Sequence, residues 1–233
     1  MQSVVLAGLV ALALSARAHL HLGAAYPAKA AVGVVAMMVI TAVRVRAHHP
    51  FATFGAANLV TTVRASLVAL VASFIGEPGS PVVAGTVVAM SLAVTLLDGV
   101  DGLMARRTGM ASAFGARFDM EVDAVLILAL TVLAWQYGKA GPWVVLSGLL
   151  RYLFIAAGWI WPWMGRPLQP TLRGKAICVV QIVVLVLIVI PAVEPPASTA
   201  IAACGLAALV YSFFVDTVWL WMHAGAPEAP PRA

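Results

Sequence analysis

The sequence predicts an all-α integral membrane protein, and three observations carry that prediction. Mean hydropathy is +1.01 over 233 residues, with 63% hydrophobic and 10% charged side chains, well outside the range of soluble globular domains. Apolar stretches near the ~20 residues needed to cross the hydrocarbon recur along the chain, separated by short segments rich in Pro, Gly and basic residues. Four aspartates gather between positions 98 and 123 in a chain with only nine acidic residues. The net charge of +5 comes without any basic run long enough to suggest nucleic acid. The basic residues fall in short loops, as in a membrane protein facing anionic headgroups.

Residues 1–16 (MQSVVLAGLVALALSA) form an apolar run without a basic n-region. The following SARA resembles a cleavage site, but the missing positive charge favours a retained short membrane helix over a signal peptide. A second span, 30–43, ends in RVRAHHP. His48 and His49 are adjacent and point to different helix faces, so they read as a juxtamembrane cluster with Arg44 and Arg46, not as a metal site. Six further spans follow at roughly 57–75, 81–104, 117–137, 141–162, 174–193 and 197–222, broken by GEPGSP, GKAGP and PAVEPP. The expected organisation is a hydrophobic N-terminal region over 1–50, a six-span core over 51–222 and a disordered Ala/Pro tail over 223–233. Cys178 and Cys204 both lie in apolar spans, so no disulfide is expected between them and they give no redox compartment.

Basic residues set the orientation. Arg44, Arg46, Arg106, Arg107, Arg117, Arg166, Arg173, Lys175 and Arg232 fall in one set of loops, whereas the opposite loops of the six later spans hold only Lys139. The positive-inside rule makes the first set cytoplasmic, and the aspartate-bearing turn with it. The expected location is a bacterial cytoplasmic (inner) membrane.

Residues 98–123 read DGVDGLMARRTGMASAFGARFDMEVD. Asp98 and Asp101 are three apart and Asp119 and Asp123 four apart, so each pair shares a helix face. A polar turn between the pairs (RRTGMASAFGAR) would bring all four carboxylates together. Buried carboxylates do not gather without cations, because desolvation and mutual repulsion would protonate them. Hard oxygen ligands of this kind suit Mg²⁺ or Mn²⁺. Gly102 and Ala105 lie on the same side of the helix as the first pair. They leave room for a ligand near the backbone, or equally for close helix packing. Arg106 offers several donors to a phosphate, and Ser112 lies in the turn as a nucleotide contact or a solvated hydroxyl. Gly115 is read as closing the turn, where a Cβ would crowd the returning chain.

This stretch resembles the signature of the CDP-alcohol phosphotransferases, D-x2-D-G-x2-A-R-x8-G-x3-D-x3-D, and fills every fixed position with Asp98, Asp101, Gly102, Ala105, Arg106, Gly115, Asp119 and Asp123. The resemblance covers about residues 51–222 and implies a six-helix core, with about two extra N-terminal hydrophobic helices here. Upstream, NLVTTVR resembles the family's N-x2-T-x2-R. It implies that Asn58, Thr61, Thr62 and Arg64 line the CDP site, with a snorkelling arginine and capping polar residues as the alternative. RGKAICVVQ resembles G-K-x2-T-x2-Q, with Cys178 in place of the threonine. The resemblance further implies that the four aspartates, Asp98, Asp101, Asp119 and Asp123, hold one or two divalent ions over the CDP diphosphate. By the same resemblance Asp123 is the general base on the acceptor alcohol, and the enzyme is a homodimer.

The acceptor is less defined. Arg151 stands about ten residues into a span, where an unpaired charge costs at least ~2.5 kcal/mol, so a partner or polar cavity is expected. Arg166, Arg173 and Lys175 come towards the same mouth and can hold a phosphate on the acceptor, with simple positive-inside charge as the alternative. Asp216 is expected to pair with one of these cations. Glu121 points away from Asp119 and Asp123 by helical geometry. The run Asp119-Met120-Glu121-Val122-Asp123 lacks the D-P-L-A-D-K usual in phosphatidylglycerophosphate synthases, which argues against a glycerol-phosphate acceptor without naming another; the expected partner is a small alcohol or alcohol phosphate. The implied activity is transfer of a phosphatidyl group from a CDP-linked lipid such as CDP-diacylglycerol to that alcohol, releasing CMP. The reverse polarity, a CDP-linked small alcohol with diacylglycerol as acceptor, uses the same motif. A divalent-cation transporter is the alternative from another class, but it leaves Gly102, Ala105, Arg106 and Gly115 without a purpose.

Overall fold

The computed structural model describes residues 13–48, 56–108, 113–166, 168 and 171–224; of residues 38–48, 56–62, 100–108 and 113–118 only the helical backbone is described. Among these residues the fold is entirely helical. The helices are α1 (residues 13–20), α2 (Tyr26–His48), α3 (Ala56–Ser73), α4 (Pro81–Thr108) and α5 (Ala113–Gln136), then α6 (Leu146–Ile160), α7 (Leu172–Val189) and α8 (Ala197–Met222). A 3₁₀ turn, Pro142–Val145, leads into α6.

Local chemistry sets the ends. Ser80 Oγ accepts from Val83 N at 3.3 Å, and Pro81 opens α4 where a missing N–H costs nothing. Thr171 Oγ1 accepts from Gly174 N at 3.1 Å and caps α7. Helix α5 closes with a Schellman pair, Lys139 N to Ala134 O at 2.9 Å and Gly138 N to Trp135 O at 3.0 Å. Gly138 takes φ +70°, a conformation natural to glycine.

Helix α3 is central, packing on α2, α4 and α5; α5 also packs on α6 and α7, and α7 on α8. Val68 and Val71 of α3, with Phe74 just after it, meet Val87, Val94, Leu126, Leu130, Leu185 and Ile188 in one continuous core. Small residues allow the closest crossings. A Cβ on Gly148 would lie 2.7 Å from Leu128 Cα, and one on Gly205 2.8 Å from Val184 Cγ1.

Among the described residues, four stretches are long and apolar enough to cross a membrane: Pro81–Gly99, Pro142–Ile160, Leu172–Val189 and Ala197–Met222. Their outward faces carry large apolar groups such as Leu96, Val183 and Phe214, the surface expected against lipid. Exposed tryptophans fall at helix ends, Trp159, Trp161 and Trp221 at one end of the bundle and Trp135 and Trp143 at the other, as in interfacial aromatic belts.

Two expectations change. The second helix begins at Tyr26, not 30, because Pro27 suits a first turn and Lys29 finds a carboxylate partner in Glu77. The polar connection after Asp101 is also shorter than 106–117. Helix α4 runs through Arg106 and Arg107 to Thr108, and α5 starts at Ala113. Arginine and alanine are good helix formers, and they carry both helices past the apolar span. Gly115 therefore lies inside α5 and does not close the turn.

Candidate functional site

At 1.5 Å per residue the 28 residues of α4 extend about 42 Å, well beyond the ~30 Å hydrocarbon. Asp98 is the next-to-last residue of the α4 apolar stretch Pro81–Gly99. Asp119 and Asp123 lie one to three turns into α5. The carboxylates thus meet near one face of the hydrocarbon, inside the bundle and not at the tip of the connection.

Three of them converge. One oxygen each from Asp98, Asp119 and Asp123 lies within 4.8 Å of the other two, and all three residues are half-buried. Beneath them is Arg64 of α3, whose side chain is fully buried. Its Nη2 donates to Asp98 Oδ1 at 2.8 Å and to Asp123 Oδ1 at 3.0 Å, and its Nη1 donates to Asp119 Oδ1. A guanidinium cannot lose its proton at any relevant pH, and its rigid fork of donors suits several carboxylates at once. Among the described side chains, one cation faces three carboxylates, an anionic cluster open at a half-exposed surface and built from hard oxygens. That donor set fits a divalent ion such as Mg²⁺ or Mn²⁺.

The other residues singled out in the sequence divide into groups. Ser112 lies outside the described residues. Asn58, Thr61, Thr62, Asp101, Gly102, Ala105, Arg106 and Gly115 have helical backbones, but their side chains are outside what is described. Asn58, Thr61 and Thr62 share α3 with Arg64, and Asp101, Gly102, Ala105 and Arg106 continue α4 beyond Asp98. Two of the expected acceptor residues form a second set of ion pairs. Arg151 of α6 donates to Glu121 Oε1 of α5 at 2.5 Å, and Arg173 of α7 pairs with Asp216 of α8. Arg166 donates to the carbonyl of His223 at 2.5 Å, and Lys175 is exposed at the start of α7.

Arg151 and Arg173 each keep a buried Nε–H without a partner. Helix α7, which carries Cys178 one turn beyond Lys175, packs on both α4 and α5 and so borders the same site. Asp216 pairs with one of the expected cations, Arg173, whereas Glu121 had no partner assigned from sequence. The available signal for Glu121 was the depth of Arg151, which demanded a counter-charge, but nothing local said which acid would supply it.

The opposite end of the bundle carries polar contacts of another kind. Glu77, in the α3–α4 connection, accepts from Lys29 Nζ at 2.5 Å and from Gly23 N at 2.6 Å. Gln136 ties the end of α5 to the same connection through Glu77 O at 2.6 Å and Gly76 N at 2.7 Å. Lys139 is buried and donates to Pro191 O, Val193 O and Glu194 Oε1, anchoring the end of α7. These contacts close the bundle far from the aspartates.

A model of the CDP-alcohol phosphatidyltransferase family matches residues 54–219, more than half of the chain. No curated protein and no solved structure matches it significantly.

Proposed function

We propose that this chain, which belongs to the CDP-alcohol phosphatidyltransferase family, transfers a phosphatidyl group from a CDP-linked lipid such as CDP-diacylglycerol to a small alcohol and releases CMP. The observation that carries the reading is the convergence of Asp98, Asp119 and Asp123 over a buried arginine at the edge of the membrane core. A soluble protein could place carboxylates anywhere on its surface. A membrane helix carries them only against a counter-charge or a ligand.

In this reading Asp98, Asp119 and Asp123, with Asp101 of the same motif, hold Mg²⁺ or Mn²⁺. A bound divalent ion supplies charge neutralisation on the diphosphate and stabilises the departing phosphate of CMP. The acceptor hydroxyl oxygen attacks the β-phosphorus that bears the lipid, and the bond from that phosphorus to the CMP oxygen breaks. The hydroxyl proton goes to Asp123, because a hydroxyl is a poor nucleophile without a base in reach. Asp123 is the most enclosed of the three, with 19% side-chain exposure against 35% and 36% for Asp98 and Asp119, which suits the carboxylate closest to the reacting alcohol. Asn58, Thr61, Thr62, Gly102, Ala105, Arg106, Ser112 and Gly115 are assigned to the CDP moiety. Arg151, Arg166, Arg173 and Lys175 are assigned to the acceptor. Arg151 and Arg173 each pair with a carboxylate through Nη2 on a partly exposed side chain, so their remaining Nη N–H groups are what they offer an incoming ligand. Residues 51–222 form the catalytic core, the site opens to the cytoplasm of a bacterial inner membrane, and two copies associate as a homodimer.

The test uses purified protein in lipid nanodiscs with labelled CDP-diacylglycerol, Mg²⁺ and a panel of alcohols and alcohol phosphates, reading CMP release and lipid product. Asp123→Asn removes the base but keeps a ligand oxygen. It should lower turnover by roughly 10²–10⁴-fold while retaining nucleotide binding better than Asp98→Asn. Equal, mild losses at Asp98, Asp119 and Asp123, or no CMP release with any acceptor, would sink the reading.

A further inference from the structure

We propose that Arg64 is a positioning residue: it aims the carboxylates of Asp98, Asp119 and Asp123 at the divalent ion from behind and does not touch the nucleotide. This rests on the metal-dependent reading above and gives Arg64 a different place from the one its motif suggests. The first observation is relative depth. The Arg64 side chain is 0% exposed, beneath carboxylates that are 19–36% exposed. Ligands arrive from the exposed side, so the aspartates stand between the guanidinium and anything that enters.

The second observation is the pattern of contacts. Arg64 engages one atom, Oδ1, on each of three aspartates from two helices. Hydrogen bonding of one carboxylate oxygen to a rigid donor restricts how the group can turn, which is how an outer-shell partner orients a metal ligand. The third is the setting. Ala65, Ser66, Val68 and Ala69 on the same helix are all buried, so this part of α3 is held within the bundle. Reaching a diphosphate at the mouth would require Arg64 to leave three carboxylates and cross their layer. Breaking buried ion pairs of this kind is strongly unfavourable.

The test titrates Mn²⁺ into the full-length protein in nanodiscs, followed by electron paramagnetic resonance, first without nucleotide. CDP affinity is then measured at saturating Mn²⁺. Arg64→Gln should weaken Mn²⁺ binding about 10–100-fold, with partial recovery in Arg64→Lys, which keeps the charge but not the fork. Once Mn²⁺ is saturating, CDP affinity in both variants should stay within about threefold of wild type.

Unchanged Mn²⁺ binding with CDP affinity down tenfold or more would make Arg64 a nucleotide ligand and overturn the proposal. Tighter Mn²⁺ binding in Arg64→Gln would also overturn it, because the guanidinium would then be competing with the ion. If circular dichroism shows Arg64→Gln unfolded, Arg64→Lys decides alone, and wild-type Mn²⁺ affinity in it refutes the idea. Wild-type protein that binds no Mn²⁺ and releases no CMP overturns the functional reading too. Wild-type activity with unaltered variants overturns this inference only.

Discussion

Lys29→Met is a perturbation whose consequences can be worked through in sign as well as size. Lys29 docks α2 against the α3–α4 connection with two bonds from one ammonium, to Glu77 Oε1 at 2.5 Å and to Ile75 O at 2.9 Å. Breaking a fully buried pair costs about 3–5 kcal/mol. The Lys29 side chain is 35% exposed, so water recovers part of that, and about 2–3 kcal/mol is expected. Burial by itself would push the Glu77 carboxyl up. The hydrogen bonds from Lys29 and Gly23, with the charge of Lys29, outweigh it and hold the carboxyl below its ordinary 4.5. In the wild type, Glu77 therefore contributes stability that is fully present above 4.5 and is lost as pH falls through its lower folded value. Without Lys29, burial dominates and the folded value moves above 4.5. The variant should then gain stability from this residue as pH falls towards 4.5, opposite in slope to the wild type. Unfolding of both proteins in one detergent, followed by circular dichroism between about pH 4 and 6.5, reads the two slopes. Parallel slopes, or a loss well under 1 kcal/mol at neutral pH, would refute the reasoning.

Two further outcomes follow from the same geometry. Exhaustive chelation should abolish CMP release and added Mg²⁺ or Mn²⁺ should restore it, since among the described side chains three converging carboxylates outnumber one arginine; full activity in excess chelator contradicts this. Gly148→Leu should destabilise the protein by at least 1–3 kcal/mol in detergent unfolding, because its Cβ meets Leu128 Cα at 2.7 Å, a backbone atom that cannot step aside.

Much of the architecture was legible because hydropathy in a membrane protein reports spans directly. The stretches at 81–104, 141–162, 174–193 and 197–222 became α4, the turn with α6, α7 and α8. The ends were less legible. Periodicity is silent on whether a polar, helix-favouring run such as ARRT continues a helix or begins a loop, and the helix continued. The aspartate cluster was readable because its residues are close in sequence and their spacing matches a helix face. Its counter-charge was not: Arg64 lies 34 residues before Asp98 and 59 before Asp123, and only the packing of α3 against α4 and α5 brings it beneath them.

The same distances explain what the charges accomplish in the fold. In lipid, apolar side chains gain little by choosing one neighbouring helix over another, so hydrophobicity hardly fixes the rotation of a helix about its axis. Helix α5 carries acids on two faces. Asp119 and Asp123 turn to Arg64 on α3, and Glu121, about 200° round from Asp119, turns to Arg151 on α6. Rotating α5 by one residue would strand carboxylates on both sides at once and leave Arg64 buried without them. A stranded charge costs ~2.5–3.5 kcal/mol at the centre of the hydrocarbon and less towards its edge, so every pair lost favours the observed setting. Arg173 with Asp216 fixes α7 against α8 in the same way. The ion pairs therefore do more than offset buried charge: they select one rotational setting of α5, the one in which Asp98, Asp119 and Asp123 come within reach of a single ion.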